Sequence, residues 1–522
     1  MGVLMGFRIV LFSLLVSLFS LVLADDIKVT VKGVTSIGTT DDNFVCATLD
    51  WWPEAKCNYG QCPWGKSGIM NLDLNNPILS NAIKAFKALR IRIGGSMQDQ
   101  VLYKVGKSVK RYKCNNFENS TTGLFGFTDG CLTMERWDQI NALMGETSAI
   151  VTFGLNALYG RKKLTEDGLY GGHWDSRNAG DFIKYTISKR YKIDSWEFGN
   201  ELCGRGVSAR VNASQYAKDV IKFKKLLNKM YRNFTAPPKL LGPAGFYDDK
   251  WFSSFLQESG PNVMDVVTHH IYNLGAGVDP NLIHYIQDPL FLDKVAKTYK
   301  DLETTLQRFG PWASAWVGES GGAYNSGGKT VSHTFVNSFW YLDQLGMTST
   351  FNHKVFCRQT LIGGNYGLLN ATTMVPNPDY YSALLWHRLM GKSVLSTTHT
   401  GSPYLRAYTH CSKTKPGITI LLINMSNSTA FNVTVENDLN LYTLAQPEGV
   451  IQREEYHLTP KGGCLQSEVM LLNGWPLILT RTLDIPALRP IFVDGSLPIK
   501  VAPDSIVFAT VRDFKAPACE CA

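Results

Sequence analysis

The chain has no His-Glu-x-x-His spacing and no glycine motif of the phosphate-cradling or dinucleotide-binding kind, so neither a metal nor a nucleotide cofactor is expected. It lacks internal repeats, low-complexity tracts and a long linker, which sets aside solenoids and disordered chains. Long hydrophobic runs are scarce. The one from Ile9 to Leu23 covers about 15 residues, short of the ~20 that span a bilayer, and no second run follows it. Motifs for nucleic acid are absent, and the formal charge of +8 is modest for 522 residues. That sign favours acidic partners over basic ones, which leaves an acidic polysaccharide or a carboxylated glycoside as the expected partner.

The segment that begins at Arg8, runs through Ile9–Leu23 and ends in the small residue Ala24 before Asp25 and Asp26 reads as a secretory signal peptide cleaved after Ala24. Glycosylation sequons at Asn119, Asn212, Asn233, Asn370, Asn424, Asn427 and Asn432 agree with that route. The 11 cysteines then meet an oxidising compartment, and their odd number leaves at least one unpaired. Cys57 and Cys62 share a short loop, whereas Cys203 and Cys357 lie in apolar runs and read as buried thiols. The terminal Cys519-Glu520-Cys521-Ala522 superficially fits a prenylation box, but its middle positions are not aliphatic, and it is set aside. The expected location is extracellular, in a cell wall, or a lysosomal or vacuolar lumen, with peripheral membrane association left open.

With 44% hydrophobic residues the chain can bury a large core in more than one domain. After a short strand at Ile27–Val34 come eight apolar, β-rich runs: Asn43–Trp52, Leu89–Gly95, Ala149–Ala157, Ser195–Leu202, Leu240–Phe246, Val263–Tyr272, Ala315–Gly322 and Lys354–Leu361. Amphipathic segments separate them, among them Pro77–Ala88, Met134–Met144, Asp175–Lys189, Ala213–Tyr231, Val295–Phe309, Val331–Leu345 and Asp379–Met390. Repeated β-then-α units predict a (β/α)8 TIM barrel. Beyond Gly391 short strands with turns predict an antiparallel β-sandwich. The expected division is residues 1–24 signal, 25–42 a strand joining the sandwich, 43–391 the catalytic barrel and 392–522 the sandwich.

In such barrels the working residues project from the C-terminal ends of the strands. The fourth run, Trp196-Glu197-Phe198-Gly199-Asn200-Glu201, puts Glu201 at its exit, and the seventh, Ala315-Trp316-Val317-Gly318-Glu319, does the same for Glu319. Two carboxylates three units apart in an eight-stranded barrel can face each other across its mouth, as glycosidic cleavage requires of an acid and a nucleophile or base. A lone strand-end glutamate would more often be a structural ion pair. Glu197, two residues earlier, is expected to be structural. Basic clusters at Lys104, Lys107, Lys110, Arg111 and Lys113, and at Arg161, Lys162 and Lys163, follow barrel strands and could flank the cleft or be solvated loops.

Gly318-Glu319-Ser320-Gly321-Gly322 also fits the Gly-x-Ser-x-Gly nucleophile elbow, which would make Ser320 the nucleophile of a serine hydrolase. The continuation of this segment as a loop and the eight-unit rhythm argue against that. His269 and His270 are adjacent, so on a strand they face opposite ways, one lining the site and the other packing.

From Trp196–Leu202, Gly318–Gly328 and Val266–Tyr272, with support from Leu89–Gly95, Val151–Leu158 and Gly364-Asn365-Tyr366, the chain resembles heparanase and the plant heparanase-like β-glucuronidases of one glycoside hydrolase family. The likeness extends from about Phe44 to Met390 and more weakly beyond. It implies retaining hydrolysis of terminal glucuronate or its 4-O-methyl form, with Glu319 as nucleophile and Glu201 as general acid/base about 5–5.5 Å apart. It further implies that Asn200 hydrogen-bonds the sugar 2-hydroxyl and Tyr272 orients the nucleophile. Asp50, Ser96, His270, Gly364 and Tyr366 would line the sugar pocket, while Tyr324 and the amides of Asn325 and Ser326 meet the uronate carboxylate. By the same likeness Cys411 bridges to Cys519 or Cys521, and the short Val101–Lys113 passage implies a single uncleaved chain. An endo-acting glucuronidase on acidic polysaccharide and an inactive carbohydrate-binding protein remain the alternatives; the second would lose a carboxylate, and both are present.

Overall fold

The computed structural model describes residues 24–438 and 452–520; the expected signal segment before Ala24 and Cys521 lie outside them. Each of the eight expected runs overlaps one strand of a closed parallel barrel: Val45–Leu49, Arg90–Ile93, Ile150–Leu155, Ser195–Phe198, Lys239–Phe246, Val266–Ile271, Ser314–Ser320 and Val355–Arg358. These strands are apolar and buried on both faces because helices cover the outside and side chains fill the inside. Every strand pairs with its neighbours in sequence, and the eighth closes on the first, with Cys357 opposite Cys46.

That seam corrects one expectation. Cys357 is not a buried thiol but is disulfide-bonded to Cys46, its partner across the closing ladder. The bond sits in a plug at the strand starts, with Leu241, Val266, Trp316 and Val355. Arg90 stacks on Trp316 at 4.7 Å and is held by Asp194 at 2.5 Å. Cys203 is a buried free thiol, as expected, and Cys464 is free and exposed. Further disulfides join Cys57–Cys62, Cys114–Cys131 and Cys411–Cys519.

Outer helices start where polar caps satisfy free amides: the Thr133 side chain accepts from Arg136 N ahead of Met134–Glu146. The helix Asp249–Ser259, capped by Asp248, goes beyond the sequence expectation. The helices Asn337–Thr350 and Pro378–Leu389 are buried along nearly their whole length because they lie between barrel and C-terminal sheet.

The C-terminal region is a largely antiparallel sheet of eleven strands connected by hydrogen bonds. Ala24–Thr39 joins it, antiparallel to Met390–His399 but parallel to Ala430–Asn437, so the sheet is mixed at that point. Alternation along Ile418–Asn424 divides its two faces. Leu421 and Ile423 enter the barrel's core, whereas Ile420 and Leu422 close a separate core with Ile27, Val29 and Val31. Two surface expectations fail here. Asn424 is buried and its Nδ2 donates to the carbonyls of Thr429, Val501 and Ala502, which leaves no room for a glycan. Arg161 is no cleft-flanking cation, since it is buried against Asp219 at 2.7 Å.

Barrel and sheet are locked by Asp343, which is fully buried and accepts from Arg406 Nε at 2.8 Å and Tyr408 OH at 2.6 Å. Replacing Asp343 with Ala removes the buried partner of the Arg406 guanidinium, which keeps the half-exposed Asp293 as its remaining acid. It is expected to cost about 2 kcal/mol of stability, read as a lowered thermal unfolding midpoint, with Asp343→Asn losing less.

Candidate active site

In the fourth strand Trp196 and Phe198 pack outward against the helices, which turns Glu197 into the barrel. The chain then bends through Gly199 (φ 73°) and reaches Glu201 in a left-handed conformation (φ 53°), a strained placement for a side-chain-bearing residue. The Glu201 amide donates to Ala244 O at 2.6 Å, and Asp99 accepts from the Asn200 amide at 2.8 Å, so the bend is tied on both sides.

The seventh strand aims Glu319 by a different device. Its ladder with the sixth strand passes from Val317 opposite His269 to Glu319 opposite His270, so Gly318 is an extra residue. The ladder with the eighth strand shifts over the same stretch. Such a bulge redirects the following side chain. Glycine suits Gly321 just beyond, where a Cβ would come within 2.8 Å of the Tyr272 ring.

These devices bring a carboxylate oxygen of Glu201, one of Glu319 and a ring nitrogen of His270 within 4.8 Å of one another, all buried. Glu319 Oε1 accepts from Tyr272 OH at 2.7 Å and Oε2 from Arg92 Nη1 at 2.8 Å. Arg92 also donates to Glu197 Oε2 at 2.6 Å and Asn200 Oδ1 at 2.8 Å. Three donor groups this close could sterically hold a cation, but the guanidinium beside Glu319 opposes one. His270 Nδ1 lies 2.9 Å from Glu201 Oε1. Burial pushes the His270 pKa down to about 4, so this partner is a neutral imidazole over most of the pH range. Burial lifts the Glu201 pKa to about 7, with the charge of Arg92 opposing. Asp50 is also lifted to about 7, by burial and then by Glu319, while accepting from Gln359 Nε2 at 2.7 Å and Trp51 N at 2.6 Å.

The cavity over these groups has a volume of about 470 Å³, and Asp50, Ser96, Glu201, Tyr272, Glu319 and Tyr366 contribute to it. Tyr324, Asn325 and Ser326 form its rim, the latter two at positive φ (57° and 76°). Gly364 (φ 62°) stands behind the Tyr366 ring. The Asn200 Nδ2 is buried with no protein partner among the described residues. Ser320 does not meet the requirement of a nucleophile: its hydroxyl is buried in a barrel strand and has no hydrogen-bond partner among the described residues, so no base there activates it. His269 packs away from the site, with its Nε2 2.9 Å from that of His353. None of the lysines at 104–113 or 162–163 lines the cavity.

Sequence reasoning does not single out Arg92, Gln359, Lys56, Phe125 or Phe246, which also shape the site. For Arg92 a signal exists: an arginine inside a strand that is buried on both faces requires buried acids to meet it.

An acid whose pKa is raised holds its proton below that pKa. A Glu201 acting as proton donor is therefore expected to give kcat/KM an alkaline limb falling through pH about 7, abolished for good leaving groups in Glu201→Ala. The stability contributed by the raised acids Glu201, Asp50 and Asp99 is full below their unfolded values near 4 and is lost as pH rises through about 7. Thermal unfolding at pH 5 and pH 8 is expected to differ less in Glu201→Gln.

The family model for glycosyl hydrolase family 79, N-terminal domain, matches residues 26–346. Heparanase-like protein 1 of Arabidopsis thaliana is 53% identical over 99% of this chain and all of its own length. The baicalin-beta-D-glucuronidase of Scutellaria baicalensis is 41% identical over 97% of each chain. Among solved structures, a GH51 arabinofuranosidase from Xanthomonas axonopodis pv. citri superposes with a TM-score of 0.67 at 14% identity, over 93% of this chain and 99% of that one. At that identity it speaks for the fold alone.

Proposed function

Because the chain belongs to glycosyl hydrolase family 79, we propose that it is a retaining β-glucuronidase that removes terminal glucuronate, or its 4-O-methyl form, from glycans or glycosides. The observation that supports this reading is the approach of a Glu201 oxygen and a Glu319 oxygen to within 4.8 Å of each other, which fits the ~5–5.5 Å carboxyl separation of retaining pairs better than the ~6.5–9.5 Å of inverting ones. Glu319 attacks the anomeric carbon, with Tyr272 and Arg92 holding its two oxygens. Glu201, kept protonated by burial, donates to the departing oxygen. Once the glycosyl ester has formed, Glu201 is ionised and takes a proton from the water that attacks the ester.

Asn200 fits the role of donor to the sugar 2-hydroxyl because its Nδ2 otherwise lacks an acceptor. Ser96, Asp50 and Tyr366 surround the ring, with His270 against Glu201 and Gly364 behind the Tyr366 ring, and the uronate carboxylate meets Tyr324 and the amides of Asn325 and Ser326. Exo action is supported by the contacts that tie the 57–62 loop to the 324–326 turn beside the cavity: Asn58 Nδ2 and Trp64 Nε1 donate to Ser326 Oγ at 2.8 and 2.9 Å, and Asn325 Nδ2 donates to Tyr59 OH at 2.8 Å. A secreted or lumenal location, with cell-wall or peripheral membrane association, fits the four disulfides and the exposed sequons at Asn119, Asn212, Asn233 and Asn427. No helix among the described residues is long and apolar enough to cross a membrane.

The test is turnover of an aryl β-glucuronide. Glu319→Ala is expected to lose about 10⁴-fold or more in kcat/KM, and Glu201→Ala about 10²–10⁴-fold. Azide should restore turnover in both variants, and the first product of the wild type should be the β-anomer by NMR. An α-anomer as first product would overturn the mechanism. A glucuronate-capped arabinogalactan cleaved in preference to a heparan-type polymer supports exo action, and the reverse preference would overturn it.

A further inference from the structure

The cavity carries three carboxyl groups, those of Asp50, Glu201 and Glu319, yet the ligand proposed for it is itself an anion. Bringing a carboxylate into a buried space that already holds the nucleophilic carboxylate is costly unless a cation meets it, and backbone amides at the rim offer only partial charges. No Arg lines the cavity, and the sole Lys among the described lining residues is Lys56.

Lys56 holds an unusual position. Its Nζ lies 4.0 Å from the centroid of the Trp52 ring, which steers the ammonium along an aromatic wall. It donates to no protein acceptor among the described residues; burial lowers its pKa, and the charge of Asp50 opposes that shift. The loop that follows it is stiff. Cys57 and Cys62 are bonded, and Asn58 and Gln61 exchange backbone hydrogen bonds at 2.8 and 2.9 Å. The turn residues Tyr59 and Gly60 both have positive φ (53° and 72°), the geometry of a tight two-residue hairpin. The tip of this hairpin is bonded to the turn proposed to receive the carboxylate, through Asn58 to Ser326 and Tyr59 to Asn325. The Asn325 and Ser326 amides themselves donate to no protein acceptor among the described residues.

We infer that Lys56, presented by the Cys57–Cys62 hairpin, is the specificity-determining cation of this site: it pairs with the C6 carboxylate of the terminal uronic acid and selects it over a neutral hexose. The inference rests on the glucuronidase reading and deepens it. A preformed hairpin places the ammonium before substrate arrives, so little ordering entropy is lost on binding. The ring of Trp52 supplies the other wall without neutralising the charge.

The experiment compares wild type, Lys56→Met and Lys56→Arg on an aryl β-glucuronide, with calorimetric titration of glucuronate and of its neutral amide into each protein. Methionine keeps the length and the contact with Trp52 while removing the charge. The expected result for Lys56→Met is a KM raised about 10- to 100-fold with kcat within about twofold of wild type. Glucuronate affinity should fall by a similar factor, affinity for the amide should hold, and Lys56→Arg should recover part of the loss. An unchanged KM, a fall in kcat alone, or equal losses for glucuronate and its amide would overturn the inference. If the wild type cleaves no glucuronide, the functional reading fails separately. The calorimetric comparison then decides Lys56 alone, since a charge-dependent loss supports it and an equal or absent loss refutes it.

Discussion

A buried guanidinium holds this site together. Arg92, on the second barrel strand, reaches Glu197 on the fourth strand, Asn200 in the bend after it and Glu319 on the seventh, each within 2.8 Å. Two buried carboxylates facing one barrel axis would repel each other strongly in that low-dielectric space, and the shared cation turns the repulsion into a fixed geometry. Glu201 lies outside this bridge. Its environment is burial with a neutral histidine beside it, which keeps the proton on. Two glutamates of the same chemistry thereby take opposite roles because their surroundings differ.

The backbone carries the strain this arrangement demands. Glu201 is left-handed after a glycine turn, and Glu319 is aimed by a bulge at Gly318. The Glu201 conformation is unfavourable by itself and is held by its neighbours: the Glu201 amide by Ala244, the Asn200 amide by Asp99. The disulfide at the barrel seam and the plug around Trp316 close the barrel at the strand starts, and the chemistry sits at the opposite end.

The outer part of the cavity is built by loops rather than strands. The hairpin at 57–62 and the turn at 324–328 grip each other through Ser326 and Asn325. What such a pocket accepts depends on loops that can vary while the barrel floor stays the same.

Eight apolar runs at barrel spacing determined the architecture from sequence alone, because strands covered on both faces must be continuously apolar and the helices between them amphipathic. The exits of the fourth and seventh runs likewise determined Glu201 and Glu319, since strand direction fixes which end of a barrel carries the side chains that work. The family likeness marked out Asn200, Tyr272 and the rim at 324–326. Local pattern could not find the partners. That Cys357 meets Cys46, that Arg92 joins two distant strands, that Asn424 is buried and that Lys56 faces the cavity are consequences of chain closure over hundreds of residues. A side chain's neighbours across a barrel are set by strand register and bulges, which hydrophobic periodicity leaves open, so tertiary structure alone decided them.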